Sequence, residues 1–219
     1  MTNKIAVITG ASRGLGHALA KQLGASGCHI VALARTVGGL EELDDAIQKS
    51  GGPPATLVPV DLAAGHDQLD RLGAALHERF GKVDAFIHAA AMLGTLGPLA
   101  HTEPNEFQRV MNVNTVSAFR LLRSLDVLLR AAPQPQAVLV DCALGDDTVS
   151  YWGPYRTSKA ALRTIGQTYA KESGVGVLHP CPSAMNTKLH TAAFPGGAPG
   201  LATPDHEAQK IIALMSGQG

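Results

Sequence analysis

Lys4-Ile-Ala-Val-Ile-Thr-Gly-Ala-Ser-Arg-Gly-Leu-Gly16 opens the chain and decides its fold. The run from Lys4 to Thr9 is apolar and β-branched, the pattern of a strand buried on both faces of a parallel sheet. From Leu15 to Leu23 apolar residues return at helical spacing. Glycines fill the junction. Gly10 permits a sharp turn, while Gly14 and Gly16 let backbone approach a pyrophosphate and let the helix pack on the strand. The helix N-terminus adds unpaired amide donors and the positive end of a dipole. Strand, glycine turn and helix in that order read as a dinucleotide site. The glycines stand at 10, 14 and 16 rather than in a G-x-G-x-x-G pattern, and a glycine-rich turn without a ligand is the alternative.

The alternation continues outward from this unit. Strands are predicted at Lys4–Thr9, His29–Arg35, Thr56–Val60, Ala85–His88, Ala137–Asp141 and Gly176–His179. Helices are predicted at Gly14–Ala25, Leu40–Lys49, His66–Phe80, Glu103–Asn112, Thr115–Arg130, Pro154–Glu172 and Pro204–Met215. Such an order predicts an α/β, doubly wound Rossmann-type domain with a parallel sheet and helices on both faces. One domain over residues 1–219 suits the length, with no repeat and no linker. Phe194-Pro-Gly-Gly-Ala-Pro-Gly200 reads as a loop.

Composition excludes several classes of partner. Lys and Arg together number 18, as do Asp and Glu, and no basic block stands out, so nucleic acid is not an expected partner. No apolar run reaches the ~18 residues that a membrane span needs, and no signal peptide is evident at the start. The three cysteines, Cys28, Cys142 and Cys181, are widely spaced. They suit neither a disulfide framework nor a metal site, and they point to the cytoplasm.

A second constellation lies about 140 residues after the glycine turn, in Tyr155-Arg-Thr-Ser-Lys159. On a helix, positions i and i+4 share a face. An ammonium beside a phenol favours the phenolate, so Lys159 is expected to lower the pKa of Tyr155 and make it a proton donor or acceptor. A solvated helix face with no chemistry is the plain alternative.

Together T-G-x-x-x-G-x-G and Y-x-x-x-K resemble the short-chain dehydrogenase/reductase family over nearly the whole chain. Asp84–Gly94, Tyr151–Lys159 and Met185–Pro195 resemble a YciK-like bacterial branch of it. The resemblance implies a nicotinamide cofactor held by Gly10, Ser12, Arg13, Gly14, Leu15, Gly16, Arg35, Asp61, Leu62, Ala89, Ala90, Ala91, Tyr155, Lys159 and Thr187. Ala34-Arg35 places no acid at the end of the second strand, and Arg13 adds a second guanidinium, so NADP(H) is expected over NAD. Asp61 would meet the adenine amino group, unless it only caps the next helix. Thr187 would bond the nicotinamide carboxamide.

The implied catalytic positions are Asn114, Cys142, Tyr155 and Lys159. Asn114 would distort its helix and link Lys159 to solvent. Cys142 stands 13 residues before Tyr155, where the family has a serine that binds the substrate oxygen. A thiol donates weakly, so Cys142 is either a poor substitute or an inert buried thiol. Thr148 and Ser150 are alternative donors. His88-Ala-Ala-Ala91 replaces the family's Asn-Asn-Ala-Gly, with His88 read as structural, and Ser183 replaces a glycine. Met92, Leu93, Leu144, Trp152, Met185 and Leu189 would line a pocket for a small apolar substrate, under a lid at 194–200 unless that loop is a mere connector. The family's usual seventh strand has no counterpart after Met215. Six strands are therefore expected, and a homodimer through the Thr115–Arg130 and Pro154–Glu172 helices. Two functions follow: an NADPH-dependent carbonyl reductase, or a nucleotide-binding protein with little or no turnover and a regulatory or scaffold role.

Overall fold

A computed structural model describes residues 4–142 and 149–217. Its strands are β1 (Ile5–Thr9), β2 (His29–Ala34), β3 (Thr56–Pro59), β4 (Ala85–His88), β5 (Gln136–Leu139) and β6 (Gly176–Leu178). They form one sheet in the order β3-β2-β1-β4-β5-β6, every neighbouring pair parallel. The helices among the described residues are α1 (Gly14–Ala25), α2 (Val37–Lys49), α3 (His66–Phe80), α4 (Pro104–Met111), α5 (Ser117–Arg130), α6 (Gly153–Ser173), α7 (Lys188–Ala193) and α8 (Pro204–Met215).

Two cores follow from the two-residue period of strands. Ile5, Val7, Val31, Leu33 and Phe86 point to one face, where Leu69, Leu72, Leu76, Leu121, Leu125 and Leu162 cover them. Ala6, Ile8, Ile30, Ala32 and Ile87 point to the other, under Leu19, Leu23, Leu40, Leu43, Ile47 and Ile211. All five residues of β1 are buried, as its unbroken apolar run predicts. Strand order reverses between β1 and β4, and such a reversal opens a crevice at the carboxyl ends of the strands.

Helix packing sets a tight constraint at α3 and α5. A Cβ on Gly73 would lie 1.8 Å from the Ser124 carbonyl oxygen, so only glycine allows the crossing. Ser124 Oγ seals the contact, accepting from Gly73 N at 2.9 Å and donating to the Asp70 carbonyl at 3.0 Å.

Departures from the sequence-based expectations have local causes. Helix α2 starts at Val37 rather than Leu40, its first turn disguised by Gly38 and Gly39. Gly39 is required there, because a Cβ would sit 2.8 Å from Ser12 Cβ. Helix α7 has six residues, too few to show a period, and is capped by Thr187 Oγ1 accepting from His190 N at 3.3 Å. The gap expected between Asn112 and Thr115 is closed by a π-helical turn, Asn112–Val116. Residues 194–200 form the expected loop.

Candidate active site

The glycine turn lies at the crevice. Gly10 and Gly14 have φ of 70° and 59°, which other residues rarely adopt. A Cβ on Gly10 would lie 2.8 Å from Ala90 Cα, and one on Gly16 2.5 Å from the Gly10 carbonyl oxygen. Helix α1 starts at Gly14 behind Arg13, with no side-chain cap and no acidic residue in its first turn. Its first amides and its dipole therefore face the crevice without an internal anion. Arg13 and Arg35 are exposed, and their side chains make no hydrogen bond or ion pair among the described residues. Such a cradle fits a phosphate-bearing group.

The other expected contacts gather around this turn. Ser12 Oγ accepts from Thr36 Oγ1 at 3.2 Å, tying the turn to the end of β2. Leu15 and Leu62 are buried beneath. Ala90 lies against Gly10, flanked by half-buried Ala89 and Ala91. Thr187 Cγ2 lies 3.6 Å from the Cβ position of Gly14, which brings α7 to the glycine turn. Asp61 is exposed, and its Oδ1 accepts from Ala63 N at 3.0 Å. It does not cap α3, where Gly65 holds the cap position. Ser183 N donates to Glu207 Oε2 at 3.0 Å, which ties that loop to α8.

His88, expected to be structural, supports the sheet. It is fully buried, its Nδ1 is 2.9 Å from Thr9 Oγ1, and that hydroxyl accepts from Ala90 N at 3.2 Å. Burial, aided by the charge of Lys159, draws its pKa down to about 3, so the ring is neutral.

Asn114 lies in the π-helical turn, fully buried. Its Oδ1 accepts from Met92 N at 2.7 Å, while its Nδ2 donates to Met92 O and to Ser158 Oγ, both at 2.9 Å. Ser158 completes a lock between the turn and α6. Its carbonyl accepts from Thr115 Oγ1 at 2.8 Å, and its Oγ donates to the Tyr155 carbonyl at 2.6 Å. The sequence reading passed over Ser158, although its place three residues after Tyr155 on the same face was a signal.

Tyr155 and Lys159 share the buried face of α6, 7% and 3% exposed. The ammonium lies over the phenol ring, 5.7 Å from its centroid, and donates to the Val140 carbonyl at 2.7 Å. Lys159 was expected to lower the phenol's pKa, and the structure corrects this. Burial above all, then Cys142 and Asp141, push the Tyr155 pKa well above its ordinary value, and Arg156 pulls weakly the other way. The lysine faces the ring rather than dominating the hydroxyl. Burial also draws Lys159 from 10.5 to about 8, against the pull of Asp141, Cys142 and Cys181.

Cys142 is buried with Tyr155 and Leu93 in one cluster. Arg156 Nη1 donates to its Sγ at 3.1 Å. Buried Asp141 braces the strand end, its Oδ1 accepting from Cys142 N at 2.9 Å and its Oδ2 from Arg163 Nε at 2.7 Å. Ser150 is exposed on a turn, while Leu144 and Thr148 lie outside the described residues. Leu96, Trp152, Leu189 and Ala193 pack on the Tyr155 cluster. Trp152 meets Tyr155 edge-on at 6.0 Å and Phe194 at 5.9 Å, and Phe194 meets His190 at 5.0 Å. Met185 does not join this wall; it packs against the core beneath α1 and α8. Apolar side chains thus surround the buried phenol of Tyr155, and the uncapped start of α1 offers a cradle for an anion.

Known proteins share this fold and much of this sequence pattern. The short chain dehydrogenase family profile matches residues 4–196. The oxidoreductase YciK of Escherichia coli K12, itself uncharacterised, is 26% identical over 198 residues, 89% of this chain and 79% of its own. A 3beta-hydroxysteroid dehydrogenase of Eggerthella lenta is 31% identical over 202 residues, 89% of this chain and 75% of its own. A short chain dehydrogenase from Escherichia coli CFT073, solved with NADPH, superposes with a TM-score of 0.91 at 26% identity, covering 98% of this chain and 91% of that one.

Proposed function

The chain belongs to the short chain dehydrogenase family, and on that premise we propose that it is an NADPH-dependent oxidoreductase reducing a carbonyl group of a small apolar substrate. The observation that carries this reading is the buried Tyr155–Lys159 pair packed among apolar side chains, in a chain whose α1 starts uncapped at the glycine turn. A reduced nicotinamide, when bound, supplies hydride to the carbonyl carbon. In this reading the Gly10–Gly16 turn holds pyrophosphate, and Arg13 and Arg35 meet a 2′-phosphate. Asp61 and Leu62 flank adenine, Ala89 to Ala91 line the crevice, and Thr187 bonds the carboxamide. The NADPH-bound relative supports this choice of cofactor.

Tyr155 does the acid chemistry. Its raised pKa keeps the phenol protonated through the neutral range, so it gives up its proton only as an alkoxide forms. Lys159, with a pKa near 8, is still mainly charged at neutral pH and keeps a cation over the phenol ring. Asn114, fixed by three hydrogen bonds, links the lysine to solvent.

Cys142, Ala91 and Ser183, at positions where the family has other residues, favour the second reading, a nucleotide-binding protein with little turnover. NADPH quenching of Trp152 fluorescence fits both readings. NADPH oxidation with a panel of aldehydes and ketones separates them, because the enzyme reading requires turnover that falls at least about 10²-fold in Tyr155→Phe. The proposal extends to one dinucleotide-binding domain in the cytoplasm, in keeping with the free thiols of Cys28 and Cys142. No helix among the described residues is long and apolar enough to cross a membrane. It extends also to a homodimer through α5 and α6, supported by Phe119 and Val127 of α5, 50% and 70% exposed. Light scattering of Val127→Glu tests that interface.

A further inference from the structure

We propose that Arg156 donates to the substrate's carbonyl oxygen the hydrogen bond that a serine provides elsewhere in the family, with Cys142 as its anchor. The inference rests on the carbonyl-reductase reading above and concerns the same site.

The argument begins at Cys142. A thiol is a weak donor, and here the sulfur is engaged as an acceptor, taking a hydrogen bond from Arg156 Nη1 at 3.1 Å. The group at the other end of that bond is a planar fork with five N–H donors and a charge it does not lose. Arg156 follows Tyr155 on α6 and is half-buried. Its charge also favours the ionised form of the phenol. The bond to Sγ places the guanidinium at the strand end, beside the cluster that Cys142 shares with Tyr155. A substrate oxygen that approaches both Tyr155 and Sγ enters the field of the same guanidinium.

The chemistry suits that placement. Hydride adds to the carbonyl carbon, the π pair moves onto oxygen, and the phenol proton follows. The carbonyl is reduced and the nicotinamide oxidised. Negative charge grows on oxygen before the proton arrives, and a fixed cationic donor aimed at it is worth about 10²–10³ in rate. Arg156 gives a hydrogen bond and keeps its protons, so it stabilises without competing with Tyr155 as the acid. On this account the serine became dispensable because a stronger donor stood next to it.

A double-mutant cycle tests the proposal, with 9,10-phenanthrenequinone as the carbonyl probe and NADPH oxidation followed by absorbance. Arg156→Gln is expected to lower kcat about 10²-fold or more, with NADPH affinity and melting temperature close to wild type. Arg156→Lys retains part of the rate. Cys142→Ser alone is expected to change kcat less than about tenfold, yet to restore at least about tenfold when added to Arg156→Gln, because the hydroxyl then takes up the vacant task. A structural role for Arg156 would show no such rescue. If Arg156→Gln leaves kcat within about threefold, or Cys142→Ser does not rescue it, the proposal is overturned while a Tyr155→Phe loss keeps the reductase reading standing. If wild type turns over neither the quinone nor the carbonyl panel, both fall together.

Discussion

Lys159→Met removes the charge at the floor of the site while keeping most of the side chain's apolar bulk. The ammonium is 3% exposed, and burial draws its pKa from 10.5 to about 8. At about 1.36 kcal/mol per pH unit, that fall means the charged lysine costs the fold about 3 kcal/mol. Linkage sets the sign. Below about pH 8 folded and unfolded chains both hold the proton, and the cost is fully present. Between about 8 and 10.5 the unfolded chain binds more protons, so stability rises with pH, and above that range the cost is gone. Methionine escapes the cost but leaves the Val140 carbonyl without its 2.7 Å donor, a loss of about 1–2 kcal/mol. The variant should therefore gain about 1–2 kcal/mol near neutral pH, or roughly 2–8 °C in Tm for a chain of this size. At about pH 10.5 and above only the lost hydrogen bond remains, and the variant should melt below wild type. Thermal melts of both proteins at the two pH values are the assay. A variant destabilised by the same margin at both would refute the reasoning. A stabilised variant without turnover would show a residue kept for chemistry against the interest of the fold.

Three further outcomes are expected. Gly73→Ala forces a Cβ to 1.8 Å from the Ser124 carbonyl and should cost about 3 kcal/mol or more, read from the urea midpoint with an unchanged slope. Arg13→Ala and Arg35→Ala should each weaken NADPH binding about 10- to 100-fold in calorimetry, the worth of a charged hydrogen bond, and leave NADH binding nearly unchanged. Asn114→Ala removes bonds of 2.7, 2.9 and 2.9 Å; about 2–4 kcal/mol should be lost, with faster hydrogen exchange at the Met92 amide.

Much of the fold was legible because its inner strands are buried on both faces and so carry apolar runs. The turn from Gly10 to Gly16 was legible because close backbone approach admits only glycine at two of its positions. What escaped notice was either short or relational. Helix α7 offers six residues, too few for a period. Ser158 and Arg156 matter through partners 44 and 14 residues away, Asn114 and Cys142, and no local pattern announces such pairings. The direction of the Tyr155 shift was misread for a related reason. Spacing along a helix places the lysine on the same face, but burial of the phenol depends also on Cys142 and Leu93, which come from other parts of the chain.

The central claim is that hydride reaches a carbonyl carbon while the buried phenol of Tyr155 supplies the proton. NADPH carrying deuterium at the transferred C4 position, incubated with a carbonyl probe and followed by mass spectrometry of the alcohol, addresses it most directly. The account predicts that wild type places the label on the carbinol carbon and that Tyr155→Phe does so at least about 10²-fold more slowly with unchanged NADPH affinity. An alcohol without the label, or equal rates in the two proteins, would contradict it.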